Sequence, residues 1–113
     1  MLLFRFALLL IILGAGVAFA SEPSRVALLY LDQCARCHGD TGAGETPLGK
    51  KLHCKDYSSK QVQALFSDDD ALLLIHEGKQ VNGKQTMPSY KGELTDSGMS
   101  ALLAYVRSLA KQP

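Results

Sequence analysis

The chain has 113 residues, a formal charge of +1, 47% hydrophobic residues, three cysteines and no tryptophan. That length holds one domain. The near-neutral balance excludes a strongly basic nucleic-acid binder and a long disordered acidic tail.

Apolar residues crowd the start. Among residues 1–20 only Arg5, Gly14 and Gly16 are not apolar, and every acidic residue lies further on, so the charges cancel from Ser21 onward. The chain beyond Ala20 is poor in apolar residues for its size, which predicts a thin core. Arg5 precedes an unbroken apolar run over 6–13. Ala18 and Ala20 then place small residues three and one positions before Ser21, which fits signal peptidase. This predicts a signal peptide over 1–20 and a mature domain over 21–113. The apolar stretch 6–20 falls short of the ~20 residues a membrane-spanning helix needs, so no stable membrane insertion is expected after cleavage. No cysteine stands just after the cleavage point to carry a lipid. The mature domain is expected in the periplasm, where its cysteines meet an oxidising environment.

The mature region shows three helical patterns. The first covers 23–33: Pro23 suits a first turn, and Leu28, Leu29 and Leu31 supply apolar surface just before Cys34. A weaker helix covers 60–66. The next strong one covers 67–77, with Ser67 as N-cap and Asp68, Asp69 and Asp70 at the positive end of the helix dipole. Leu72 and Ile75 form its buried stripe and Gly78 ends it. The last covers 95–110, capped by Thr95, with Met99, Leu102, Leu103, Val106 and Leu109 at helical spacing. No segment alternates like a strand for long, so the expected fold is all-α. Two long loops, 39–57 and 79–93, remain. Loops of that length in a small domain usually wrap something or carry function.

Cys34-Ala35-Arg36-Cys37-His38 is the decisive motif, because C-x-x-C-H is the attachment signature of c-type haem. On one helical turn, two cysteines three apart reach the two vinyl groups on one porphyrin edge and form thioethers. The adjacent histidine then becomes an axial ligand of the iron. One covalent haem would also supply the apolar surface this chain lacks. Two rivals use the same residues. A thioredoxin-like pair needs a βαβ context that the chain does not show. A zinc site would have to combine Cys34 and Cys37 with the adjacent pair His53-Cys54, an unusual spacing for structural zinc. Cys54 is otherwise left over, either buried as a small apolar residue or free to form an intermolecular disulfide.

The sixth iron position calls for a thioether or an imidazole. Met99 sits in a helical stripe and is expected in the core. Met87 lies in the loop Thr86-Met87-Pro88-Ser89-Tyr90, where proline stiffens the path, and it is the favoured ligand. His53 and His76 are the alternatives for bis-histidine ligation.

With these motifs the chain resembles the class I c-type cytochromes, small single-haem electron carriers. The resemblance covers nearly all of residues 21–113. It rests on the C-A-R-C-H motif, on Ile75-x-x-Gly78, on Met87-Pro88-x-Tyr90 and on the closing run from Leu102 to Arg107. It implies a small domain of three to five helices wrapped around one covalently attached haem. It also implies crossing first and last helices, with Tyr30 packed on the last one near Tyr105. Val26 stands where that family tends to place a glycine at the crossing. The resemblance further implies that the Pro47 carbonyl accepts a hydrogen bond from His38 Nδ1–H, which would orient the ring. Tyr90 would pack beside the methionine ligand, and Tyr57 or a lysine is a candidate partner for a haem propionate.

With both axial positions filled, no substrate reaches the iron and one-electron transfer is the reaction left. The expectation is therefore a monomeric electron carrier of a respiratory chain, not an enzyme, working between redox proteins that include membrane-bound oxidoreductases. Lys79, Lys84 and Lys91 flank Met87, and Lys50, Lys51 and Lys55 lie on the other long loop. Those six would steer an acidic partner despite the neutral total. Two alternatives stay open: a haem module fixed in a larger respiratory complex, and a five-coordinate haem enzyme or gas binder if Met87 is not a ligand.

Overall fold

A computed structural model describes residues 14–18 and 22–111. The rest of the expected leader and its cleavage point lie outside the described residues. Helix α1 (Glu22–Gln33) turns Val26, Leu29 and Tyr30 toward the core, the i, i+3, i+4 stripe of an amphipathic helix. Leu28 and Leu31 stand in solvent, 65% and 45% exposed, so two of the three leucines counted for this helix take no part in the core. The chain runs almost without a break into α2 (Ala35–His38), a single turn in which His38 N–H donates to the Cys34 carbonyl at 2.9 Å.

Loop 39–57 is more ordered than its composition suggests. It contains α3 (Pro47–Lys51), with proline at the first helical position and Thr46 as N-cap accepting from Gly49 N–H at 2.8 Å. The weaker helix is shorter than expected: α4 (Lys60–Gln63), capped by Ser59, stops before exposed Ala64 and Leu65. Helix α5 (Asp68–Glu77) starts as expected, with Ser67 Oγ accepting from Asp70 N–H at 3.1 Å. It ends at Gly78, whose φ of +72° suits a residue without Cβ.

Loop 79–93 holds the one departure from an all-helical chain among the described residues. Strands β1 (Lys79–Val81) and β2 (Lys84–Met87) pair antiparallel, with Val81 opposite Lys84 and a bulge between Lys79 and Gln80. Asn82 and Gly83 join them with φ of +50° and +77°, the two positive values of a type I′ turn. Alternation could not show these strands, because they are short and largely exposed. Asn82-Gly83 was the available signal.

Helix α6 (Asp96–Ser108) closes the chain, capped by Thr95, whose Oγ1 accepts from Gly98 N–H at 3.1 Å. It buries Met99, Leu102 and Leu103, and partly buries Val106, with Leu109 just beyond its end partly buried too, as the spacing predicted. Tyr30 and Tyr105 meet at the packing of α1 on α6, their ring centroids 5.1 Å apart and tilted by 47°. Val26 is accommodated there, partly buried against the same cluster. The helical segments number six among the described residues, three of them of ten or more residues and three of only four or five. The core is thin: seven hydrophobic residues are buried, with Tyr30 the most enclosed.

Candidate functional site

Beside that core opens a cleft of about 430 Å³. Cys34, Cys37 and His38 line it together with Met87, Pro88 and Tyr90, so the two motifs far apart in sequence meet in one space. Ile75, Leu102, Leu103 and Val106 give the cleft apolar walls, while Lys55, Asp70 and Lys79 also border it.

The attachment turn is held from both sides. Tyr30 Oη donates to the Gly39 carbonyl at 2.8 Å, and Thr46 Oγ1 donates to the Cys37 carbonyl at 2.9 Å. Gly49 lies so close beneath that a Cβ there would collide with the Cys37 and Gly44 carbonyls. Burial, reinforced by Cys37, pushes the Cys34 thiol up to about 11. Among the described residues no cluster of three or more histidines, cysteines and carboxylates gathers to hold a metal ion. Among the described residues the strands form one antiparallel hairpin and no βαβ unit flanks the cysteine pair, unlike the thioredoxin-like context.

Burial lowers the proton affinity of His38, favouring the neutral imidazole that metals bind. Its Nδ1 is buried with no hydrogen-bond partner. The bond expected from this nitrogen to the Pro47 carbonyl is therefore not formed. Pro47 is exposed and opens α3, and it is its neighbour Thr46 that ties this loop to the attachment turn. The His38 ring instead faces Tyr57, at 5.4 Å between centroids and 33° between planes. Sequence reasoning placed Tyr57 near a propionate and gave no hint of this contact.

Met87 ends β2, partly buried against the core cluster. Gly78 explains how the strand fits. A Cβ at this position would strike the Met87 carbonyl, Gln85 Nε2 and the Pro88 backbone. Tyr90 is buried and lines the cleft with Met87; its Oη donates to the Gln33 carbonyl at 3.1 Å and its N–H to the Ile75 carbonyl at 3.1 Å. The rival histidines sit less favourably. His53 borders the cleft but is exposed, with φ of +56°. His76 does not line the cleft and pairs with Glu77 at 2.9 Å. Cys54 is half-buried at the cleft wall, not enclosed in the core, and burial followed by Cys37 raises its thiol.

An apolar cleft, two cysteines on one turn, a buried neutral imidazole and a thioether fit a porphyrin with two protein ligands. Residues 24–110 match the family described as Cytochrome c. The chain belongs to the cytochrome c family. Over 100 residues it is 26% identical to cytochrome c6 of Thermosynechococcus vestitus, covering 88% of this chain and 81% of that protein. It is 31% identical over 84 residues to the cbb3-type cytochrome c oxidase subunit FixP of Bradyrhizobium diazoefficiens. That match takes in 72% of this chain and only 25% of the subunit. Among solved structures, the KustC0563 c-type cytochrome is similar at 33% identity and a TM-score of 0.66, over 75% of this chain and 96% of that one. A cytochrome c domain carries covalently bound haem c and serves electron transfer, and the small helical fold of this chain is that of the family.

Proposed function

We propose that this cytochrome c is an exported single-electron carrier with His/Met axial ligation, released by signal-peptide cleavage after Ala20. The observation that carries the reading is the convergence of Cys34, Cys37, His38 and Met87 on one cleft. Cys34 and Cys37 hold the haem through thioethers; His38 and Met87 are its iron ligands. The bound group supplies reversible one-electron chemistry. His38 and Met87 would hold the iron, Ile75, Leu102 and Leu103 would keep water from the group, and Lys55 and Lys79 border the cleft that would take it. A thioether in place of a second imidazole raises the reduction potential. With both iron positions taken by side chains of the protein, a substrate would find no site on the iron, and electron transfer is the chemistry this reading leaves.

The partners are redox proteins, membrane-bound oxidoreductases among them, and the working place is the periplasm. Among the described residues no helix is long and apolar enough to cross a membrane. The FixP similarity favours a second reading, a haem module held in a larger respiratory complex. Expression of the full chain with haem attachment, followed by cell fractionation and intact mass, separates the two. The carrier reading predicts a monomer in the soluble periplasmic fraction whose mass equals residues 21–113 plus one haem. Recovery only within a membrane complex would favour the module.

A further inference from the structure

Gln63 is the one polar residue buried among the described residues, 6% exposed, and it lies outside the cleft lining. Its amide Nε2 donates to the Tyr57 and Val106 carbonyls, each at 2.8 Å. Its Oε1 accepts from Arg107 Nη1 at 3.0 Å. Arg107 spends its remaining donors nearby: Nη1 also on the Gln63 carbonyl, Nη2 on the Phe66 carbonyl at 3.0 Å, and Nε and Nη2 on Asp68 Oδ1 at 3.0 and 2.8 Å. The guanidinium also covers the Phe66 ring at 4.4 Å. Phe66 in turn meets Tyr57 edge-on at 5.6 Å, and Tyr57 lies against His38. Arg107 and Gln63 thus hold Tyr57 twice, by its backbone through Gln63 and by its ring through Phe66.

We propose that Gln63 and Arg107 are positioning residues for the proximal ligand, acting on His38 only through Tyr57. The proposal rests on His38 being an iron ligand. The Gln63 amide does more than fill space: it satisfies the Tyr57 carbonyl, which an apolar side chain of similar volume would leave without that donor. What the amide adds is a fixed position for Tyr57, the aromatic ring packed on His38. Shielding matters because solvent access and local dielectric set the potential of a metal site. A looser Tyr57 lets water approach His38, and water stabilises the more highly charged ferric state, so the midpoint potential falls.

The test is a double-mutant cycle on the holoprotein. Arg107→Lys keeps the charge but loses the planar fork; Gln63→Leu keeps bulk but takes the amide donor from the Tyr57 carbonyl, while the Val106 carbonyl keeps its bond from Leu109 N–H. Each is expected to lower the midpoint potential and to move the paramagnetically shifted His38 imidazole resonances. In a Tyr57→Leu background, neither change should add to the shift already caused by losing the ring. If Gln63→Leu does not fold, Arg107→Lys completes the cycle alone. Variants that melt earlier with potential and His38 resonances unchanged would reduce the network to a structural fastener. Equal shifts with and without Tyr57 would overturn the route through that ring. Failure of the ligation reading looks different, since the wild-type His38 resonances would then show no strong paramagnetic shift.

Discussion

At the residue scale, the chemistry is concentrated in side chains whose neighbours leave them little freedom. Gly78 is a clear case. Its positive φ and the closeness of the Met87 carbonyl leave no room for Cβ. Gly78→Ala is expected to cost about 1–3 kcal/mol of stability, the range for a strained backbone position. Because Met87 is the group displaced, the same variant should weaken the spectroscopic mark of sulfur ligation; thermal melts and near-infrared spectra of the oxidised holoprotein check both. The motif Cys34–His38 and the ligand candidate Met87 were legible in sequence because their chemistry depends on residue type and local spacing. Thr46, Tyr57, Gln63 and Arg107 were not, because their roles come from contacts between distant segments. The Arg107 to Gln63 bond alone spans 44 positions. Pro47 is a role carried over by resemblance, and His38 Nδ1 has no hydrogen-bond partner in this structure.

At the element scale, local signals marked the starts of the long helices well. Ser67 and Thr95 both cap as expected. Ser67→Ala should lower stability by about 1 kcal/mol, the usual worth of such a cap. A denaturant titration would show a lower midpoint at unchanged slope; no change would mean that the aspartates of the first turn hold the helix start unaided. The short elements escaped notice for a physical reason. Helix α3 has five residues and the hairpin strands three and four, too few for a period to emerge. In such elements the caps and turns carry the information, through Thr46-Pro47 and Asn82-Gly83.

At the scale of the whole molecule, five of the seven hydrophobic residues buried among those described, Tyr30, Ile75, Tyr90, Leu102 and Leu103, line a cleft of about 430 Å³, and a bound haem would complete that core. A Cys34→Ala, Cys37→Ala double variant, which has no thioethers, is expected to lack a sharp cooperative thermal transition by circular dichroism. A transition as sharp as that of the holoprotein would show that the chain folds on its own. Charge placement yields a second expectation. Lys55 and Lys79 border the cleft, and Lys50, Lys51, Lys84 and Lys91 are exposed on the same two long loops. Electron exchange of the reduced holoprotein with anionic hexacyanoferrate(III) should slow as salt is added, and exchange with a cationic cobalt chelate should not. Equal salt dependence for both reagents would mean that the lysines set no local field.

The central claim is that His38 and Met87 close both faces of the iron and leave only electron transfer. The most direct measurement takes the holoprotein alone: the near-infrared spectrum of the oxidised form, then carbon monoxide added to the reduced form. A sulfur-to-iron charge-transfer band, lost in Met87→Ala, is expected, with no rapid carbon monoxide binding by the unaltered protein. Absence of that band together with ready carbon monoxide binding would contradict it.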